Sequence, residues 1–114
     1  MNEDTPNLIF RACHSGTMPA CDFLIGGRSR EYAIVCVRSD GLPFVLVDEG
    51  CGHEDIRLPG GIEAGRDIMR LLKQADQGSK AAQDRLTSYA VEGIMIARGL
   101  REGANDNVDL GRAA

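Results

Sequence analysis

Short apolar runs separated by glycine, proline and polar turns fill the first half of the chain. Runs of this length, rich in β-branched and aromatic residues, are typical of β-strands. One pair is joined by Ser-Asp-Gly-Leu-Pro at 39–43, which is turn chemistry and predicts an antiparallel hairpin. Both hairpin strands are apolar at consecutive positions, which favours central places in a sheet. The predicted strands lie at about 7–12, 21–25, 31–37 and 44–48, with a further short strand possible at 55–58.

The hydrophobic period changes after Ile62, where apolar residues recur at spacings of three and four. This spacing places them on one face of a helix. Gly78 suits a left-handed helix end and Ser79 suits the N-cap of a following helix, so we predict helices at about 62–77 and 80–101. The predicted buried faces are Ile62, Gly65, Ile68, Met69, Leu72 and Ala75, then Ala82, Leu86, Tyr89, Ala90, Gly93, Ala97 and Leu100.

Together these elements predict an α+β fold. A small antiparallel sheet of three to four strands packs against a C-terminal helical hairpin. A chain of 114 residues is the usual size for one domain, so we expect a single domain over residues 1–102. Residues 103–114 have no hydrophobic period and are predicted to be a disordered tail.

Composition indicates an ordinary globular protein, with 43% hydrophobic and 26% charged residues. No apolar run approaches the roughly 20 residues that cross a bilayer, and the acidic, polar start of the chain does not resemble a signal peptide. We therefore expect a cytoplasmic protein that binds no membrane. In that reducing compartment the four cysteines should be thiols.

Negative charge is concentrated in one part of the chain. Residues 31–58 hold six acidic and two basic residues, whereas 59–102 hold six acidic and seven basic ones. The helices therefore lack the basic surface of a nucleic-acid binder. We predict no direct binding to DNA or RNA.

The loop at 48–55 gathers most of the polar groups that could support chemistry. It contains Asp48, Glu49, Cys51, His53, Glu54 and Asp55. Zinc takes thiolate and imidazole ligands in a tetrahedral set, so Cys51 and His53 could join Cys13 and Cys21 from earlier in the chain. The spacing lacks the short Cys-x2–4-Cys pairs of zinc ribbons. A zinc-binding protein or small hydrolase is therefore the alternative hypothesis.

The second helix is apolar almost all round over residues 91–97. Gly93 and Ala97, four residues apart, would allow a close backbone approach on one side. Val91, Met95 and Ile96 point partly away from that side and need a second apolar surface. The first helix, a second copy of the chain or another protein could supply it.

These features favour a non-enzymatic protein–protein interaction or regulatory protein, with no catalytic residues and no cofactor. Its partner would be another protein or a second copy in a homodimer. The predicted interaction surface combines Val91, Met95 and Ile96 with the acidic residues Asp48, Glu49 and Asp55. A small inhibitor or modulator of a larger basic protein is one form of this hypothesis.

Overall fold

Five strands precede two helices along the chain. The computed structural model describes residues 6–14, 16, 18–26, 30–50 and 52–113, and side chains as far as residue 102. The strands are β1 (Leu8–His14), β2 (Ala20–Ile25), β3 (Tyr32–Val37), β4 (Pro43–Asp48) and β5 (His53–Arg57). The helices are α1 (Gly61–Asp76) and α2 (Lys80–Ala113).

The strands form one antiparallel sheet in the order β1-β2-β3-β4-β5, so each strand pairs with its neighbours in sequence. The predicted α+β architecture is confirmed, and β3–β4 is the predicted hairpin. The sheet has five strands where three to four were expected. The additional strand is β5. Its sequence, His-Glu-Asp-Ile-Arg, has a single apolar residue, so the strand pattern there is weak.

Helix α2 is longer than its sequence pattern predicts. The helical backbone continues to Ala113, whereas the apolar period stops near residue 101. The side chains of 103–113 and all of residue 114 lie outside the described part of the chain. The disordered tail at 103–114 and the domain limits therefore stay predictions.

Both helices pack on the same face of the sheet. Alternate residues of the central strands point toward them and are buried, which is the period of two that a half-covered sheet requires. Ile62 and Leu100, at the two ends of the predicted helix faces, are exposed because the core does not reach that far. The core is formed by Cys21, Phe23, Ile25, Ala33, Val35, Val37, Val45, Val47, Ile56, Leu58, Ile68, Leu71, Leu72, Ala75, Ala82, Leu86, Ala90, Ile94 and Ala97.

A helix cap in the connecting turn and a side-chain hydrogen bond fix α2 relative to α1. The backbone N–H of Ala82 donates to Ser79 Oγ at 3.2 Å, and Gly78 has a φ of 99°, as the sequence predicts for this turn. Further along, the Tyr89 hydroxyl of α2 donates to Asp67 Oδ2 of α1 at 2.6 Å. These contacts hold α1 and α2 as an antiparallel pair.

Two glycines set the distance between the helices and the sheet. A methyl group at Gly93 of α2 would lie 2.6 Å from Val45 Cγ2 of β4, closer than carbon atoms can pack. One at Gly65 of α1 would overlap the carbonyl oxygen of Gly41 in the β3–β4 turn. The predicted close approach at Gly93 is therefore confirmed, and its partner is the central strand β4.

We expect Gly93→Ala to lower the free energy of unfolding by about 1–3 kcal/mol, because the added methyl overpacks the contact with Val45. Urea denaturation measures this change. The matched control is Gly99→Ala in the same helix, where an added methyl meets no atom within 4 Å. It should raise stability by about 0.5–1 kcal/mol through helix propensity. Equal effects of the two substitutions would contradict the proposed contact.

Candidate interaction surface

The sheet has a second face, opposite the helices. Within the described residues no helix or strand covers it. We call it the open face. The strand register sorts its residues into three parallel rows. The first contains His14, Ala20, Cys36, Phe44 and Arg57; the second Ala12, Asp22, Ile34, Leu46 and Asp55; the third Ile9, Leu24, Tyr32, Asp48 and His53.

The centre of the open face is apolar. Leu24, Ile34 and Leu46 come from the three central strands and are only half-buried. At its border Ile9 is 46% exposed and Met18, in the segment before β2, is 47% exposed. A contiguous exposed apolar patch on a folded domain is typical of an interaction surface.

Ion pairs lie on two sides of this apolar centre, and one of their carboxylates, Asp22, lies beside Ile34 in the second row. Asp22 on β2 lies 2.5 Å from an Arg11 guanidinium nitrogen and 3.1 Å from His14 Nε2. On the far side Arg38 pairs with Asp55 at 2.5 Å, and its guanidinium lies 3.7 Å above the ring of Phe44. The stack is a cation–π contact and covers part of the Phe44 ring. The open face is therefore an apolar centre with a charged border.

The helix residues proposed from sequence are less prominent than the open face. Met95 is 39% exposed, while Val91 and Ile96 are half-buried, and Ile96 packs against the core. The most exposed apolar residue of this helix segment is Leu100, at 60%. The helical period predicts that Leu100 is buried. The prediction is wrong because a periodic pattern does not show where the sheet beneath a helix ends.

The acidic loop is held by the second helix. The Glu49 side chain is only 11% exposed and accepts hydrogen bonds from Arg98, at 2.7 and 3.1 Å, and from Arg101. Arg101 Nε also lies 3.3 Å from Glu54 Oε1. We call Glu49, Glu54, Arg98 and Arg101 the carboxylate–arginine cluster. It joins the β4–β5 turn to α2.

Asp48 and Asp55, the other acidic residues of the predicted surface, also make internal contacts. Asp48 Oδ1 accepts the backbone N–H of Gly50 at 2.8 Å, which shapes the turn, and Asp55 pairs with Arg38. Glu49 and Asp55 are therefore paired with arginines of the same chain, and Asp48 is engaged by the turn. This arrangement does not favour the loop as a free charged surface that attracts a basic protein.

The candidate zinc ligands lie in different parts of the sheet. Cys13 and Cys21 are cross-strand partners on the helix side, and the Cys13 thiol donates to the carbonyl of Leu72 at 3.7 Å. His53 lies on the open face at the opposite edge, on β5, and Cys51 lies outside the described residues. Among side chains that the structure places, no three of His, Cys, Asp or Glu form a metal-binding group. Zinc binding stays a prediction.

The thiols on the helix side are poorly suited to nucleophilic catalysis. Burial raises the pKa of Cys13, and the nearby carboxylates of Asp76 and Asp22 raise it further. Burial likewise raises the pKa of Cys21 far above its ordinary value. A nucleophilic cysteine reacts as the thiolate, which these environments disfavour at neutral pH. His14 follows Cys13 in sequence but contacts Asp22 on the other face, so it does not pair with the thiol.

Comparison of the chain with protein-family models, curated proteins and solved structures gives no significant match to any of them. In the portion of the chain that the structure describes, no helix has both the length and the apolar character needed to cross a bilayer. The functional argument therefore depends on the open face and on the contacts around it.

We expect Glu49→Gln to lower the free energy of unfolding at pH 7 by about 1–3 kcal/mol, because Arg98 and Arg101 lose a charged acceptor. The matched control Glu92→Gln removes an exposed carboxylate of α2 and should change stability by less than about 0.5 kcal/mol. Chemical denaturation of the three proteins measures both effects. Equal losses would show that the carboxylate–arginine cluster contributes nothing specific.

The difference between wild type and Glu49→Gln should depend on pH. Burial opposes ionisation of Glu49, but hydrogen bonds and positive charge from Arg98 and Arg101 outweigh it and lower its pKa below the ordinary 4.5. A carboxyl group with a lowered pKa in the folded state stabilises the fold above its unfolded-state pKa and loses that contribution as the pH falls. The difference in free energy of unfolding should be largest at neutral pH and should decrease below pH 4.5. A difference that does not change with pH would contradict the lowered pKa of Glu49.

Proposed function

We propose that this protein is a non-enzymatic protein–protein interaction or regulatory protein, and that the open face is its binding surface. The observation that carries the proposal is the group of half-exposed apolar side chains Leu24, Ile34 and Leu46, which lie in two adjacent rows on the three central strands. Central strands of a sheet covered on one side usually alternate apolar and polar residues. Here most of the outward positions are apolar as well, and Asp22 and Asp48 are the charged exceptions.

The energetics favour a protein partner over solvent on this face. Completing the burial of a half-exposed Leu or Ile side chain stabilises a complex by about 1 kcal/mol, and the apolar centre offers several such residues. The ion pairs around it supply a polar border that remains in contact with water. An apolar centre with a polar border is the usual anatomy of a protein interface.

The same arrangement bears on partner and location. Since Asp22 and Asp55 on the open face already pair with Arg11 and Arg38, the proposal does not require a strongly basic partner. The free thiols of Cys13, Cys21 and Cys36 are compatible with a reducing cytoplasm. We therefore infer a cytoplasmic partner that is selected by shape and apolar contact.

Site-specific photo-crosslinking in living cells tests the proposal. With p-benzoylphenylalanine in place of Ile34 on the open face, irradiation should give covalent adducts to protein, either a second copy or another chain. The matched control carries the same amino acid in place of Gln74, an exposed residue of α1 on the opposite side of the molecule. Protein adducts no more abundant from position 34 than from position 74 would overturn the proposal.

A further inference from the structure

We propose that the occupant of the open face is a second copy of this chain, packed sheet against sheet. The two helical layers would then lie on the outside of a four-layer dimer. This inference rests on the proposed function and names the partner. Three properties of the open face support this inference: its charge balance, its size and its surface shape.

The open face is electrically balanced although the chain is not. Its rows and border hold three arginines, Arg11, Arg38 and Arg57, and three aspartates, Asp22, Asp48 and Asp55. The whole chain carries a net charge of −4 at pH 7. Two copies would repel each other through most of their surfaces, but not through this face. Charge balance is what a surface that binds itself requires.

The size of the open face fits another sheet of the same dimensions. Five strands about 4.8 Å apart and six residues long, at about 3.3 Å per residue, give a flat area of roughly 24 by 20 Å. Stable interfaces bury at least about 600 Å² of accessible surface on each partner. The flat area alone is smaller than this. The accessible surface reaches that value only when the uneven side-chain surface is counted and nearly the whole face is covered. A single peptide strand or helix covers only part, whereas a second sheet covers the whole.

The open face is complementary to itself in shape at one position and in charge at another. Cys36 in the first row is small, and Ile34 in the second row, on the same strand, is large. Consider a two-fold axis that lies between the two sheets, runs across the strands and passes between these rows. It places Ile34 of one copy over Cys36 of the other. The same axis brings Asp55 of one copy opposite Arg57 of the other, which pairs opposite charges.

Sedimentation velocity on the purified full chain over a range of concentrations tests this inference. Wild type should sediment as a dimer of the 12.3 kDa chain. Ile34→Lys buries a charge at the centre of the interface and should weaken association by about 100-fold or more. Gln74→Lys adds the same charge on the helical side and should leave the dimer intact. Arg57→Asp changes an exposed residue of β5 and brings a like charge opposite Asp55 of the second copy, so it should weaken the dimer even if Ile34→Lys fails to fold.

Two results would overturn the sheet-to-sheet dimer and separate it from the proposed function. A monomeric wild type whose position 34 crosslinks to other proteins would exclude the second copy and leave the proposed function standing. A dimer that Met95→Lys dissociates while Ile34→Lys and Arg57→Asp do not would place the contact on α2. A monomer that gives no specific crosslinks from position 34 would overturn both proposals.

Discussion

The contact between Gly93 and Val45 is the constraint on which the rest of the structure depends. Because α2 has no side chain at this position, its backbone lies directly on the central strand β4. Gly65 brings α1 equally close to the β3–β4 turn. With both helices fixed so near the sheet, their apolar residues pack against one face of it. Among the side chains that the structure describes, neither helix has a second apolar surface that could cover the open face of the sheet.

The open face follows from this one-sided packing. A sheet with helices on one side can present polar residues to water on the other, and this sheet does so at only some of its outward positions. There Arg11 pairs with Asp22, and Arg38 pairs with Asp55 while lying over Phe44. The middle row is apolar in β3 and β4, at Ile34 and Leu46, and Leu24 on β2 lies beside it in the next row. Exposed apolar strands are an aggregation liability unless a defined partner covers them, so the fold itself favours a specific interaction.

Local patterns in the sequence predicted the architecture but not the surfaces. Consecutive apolar residues in β3 and β4 correctly indicated central strands. The same pattern arises whether the second face is covered by another layer or left open, and only the positions of both helices distinguish the two. Non-local pairing explains the other differences. Glu49 meets Arg98 across 49 positions of sequence, and strand order puts Cys13 and His53 at opposite edges of the sheet. No local spacing contains that information.

The carboxylate–arginine cluster connects the helical layer to the strands that form the open face. Glu49 and Glu54 flank the turn between β4 and β5, and Arg98 and Arg101 hold both of them against α2. This clamp fixes the edge hairpin and so keeps Leu46 and Asp55 in register with Ile34 on the opposite face. A surface that is ordered before binding loses less conformational entropy when a partner covers it. In the proposed interaction, the acidic loop would therefore act by preorganising the sheet, without needing to contact the partner.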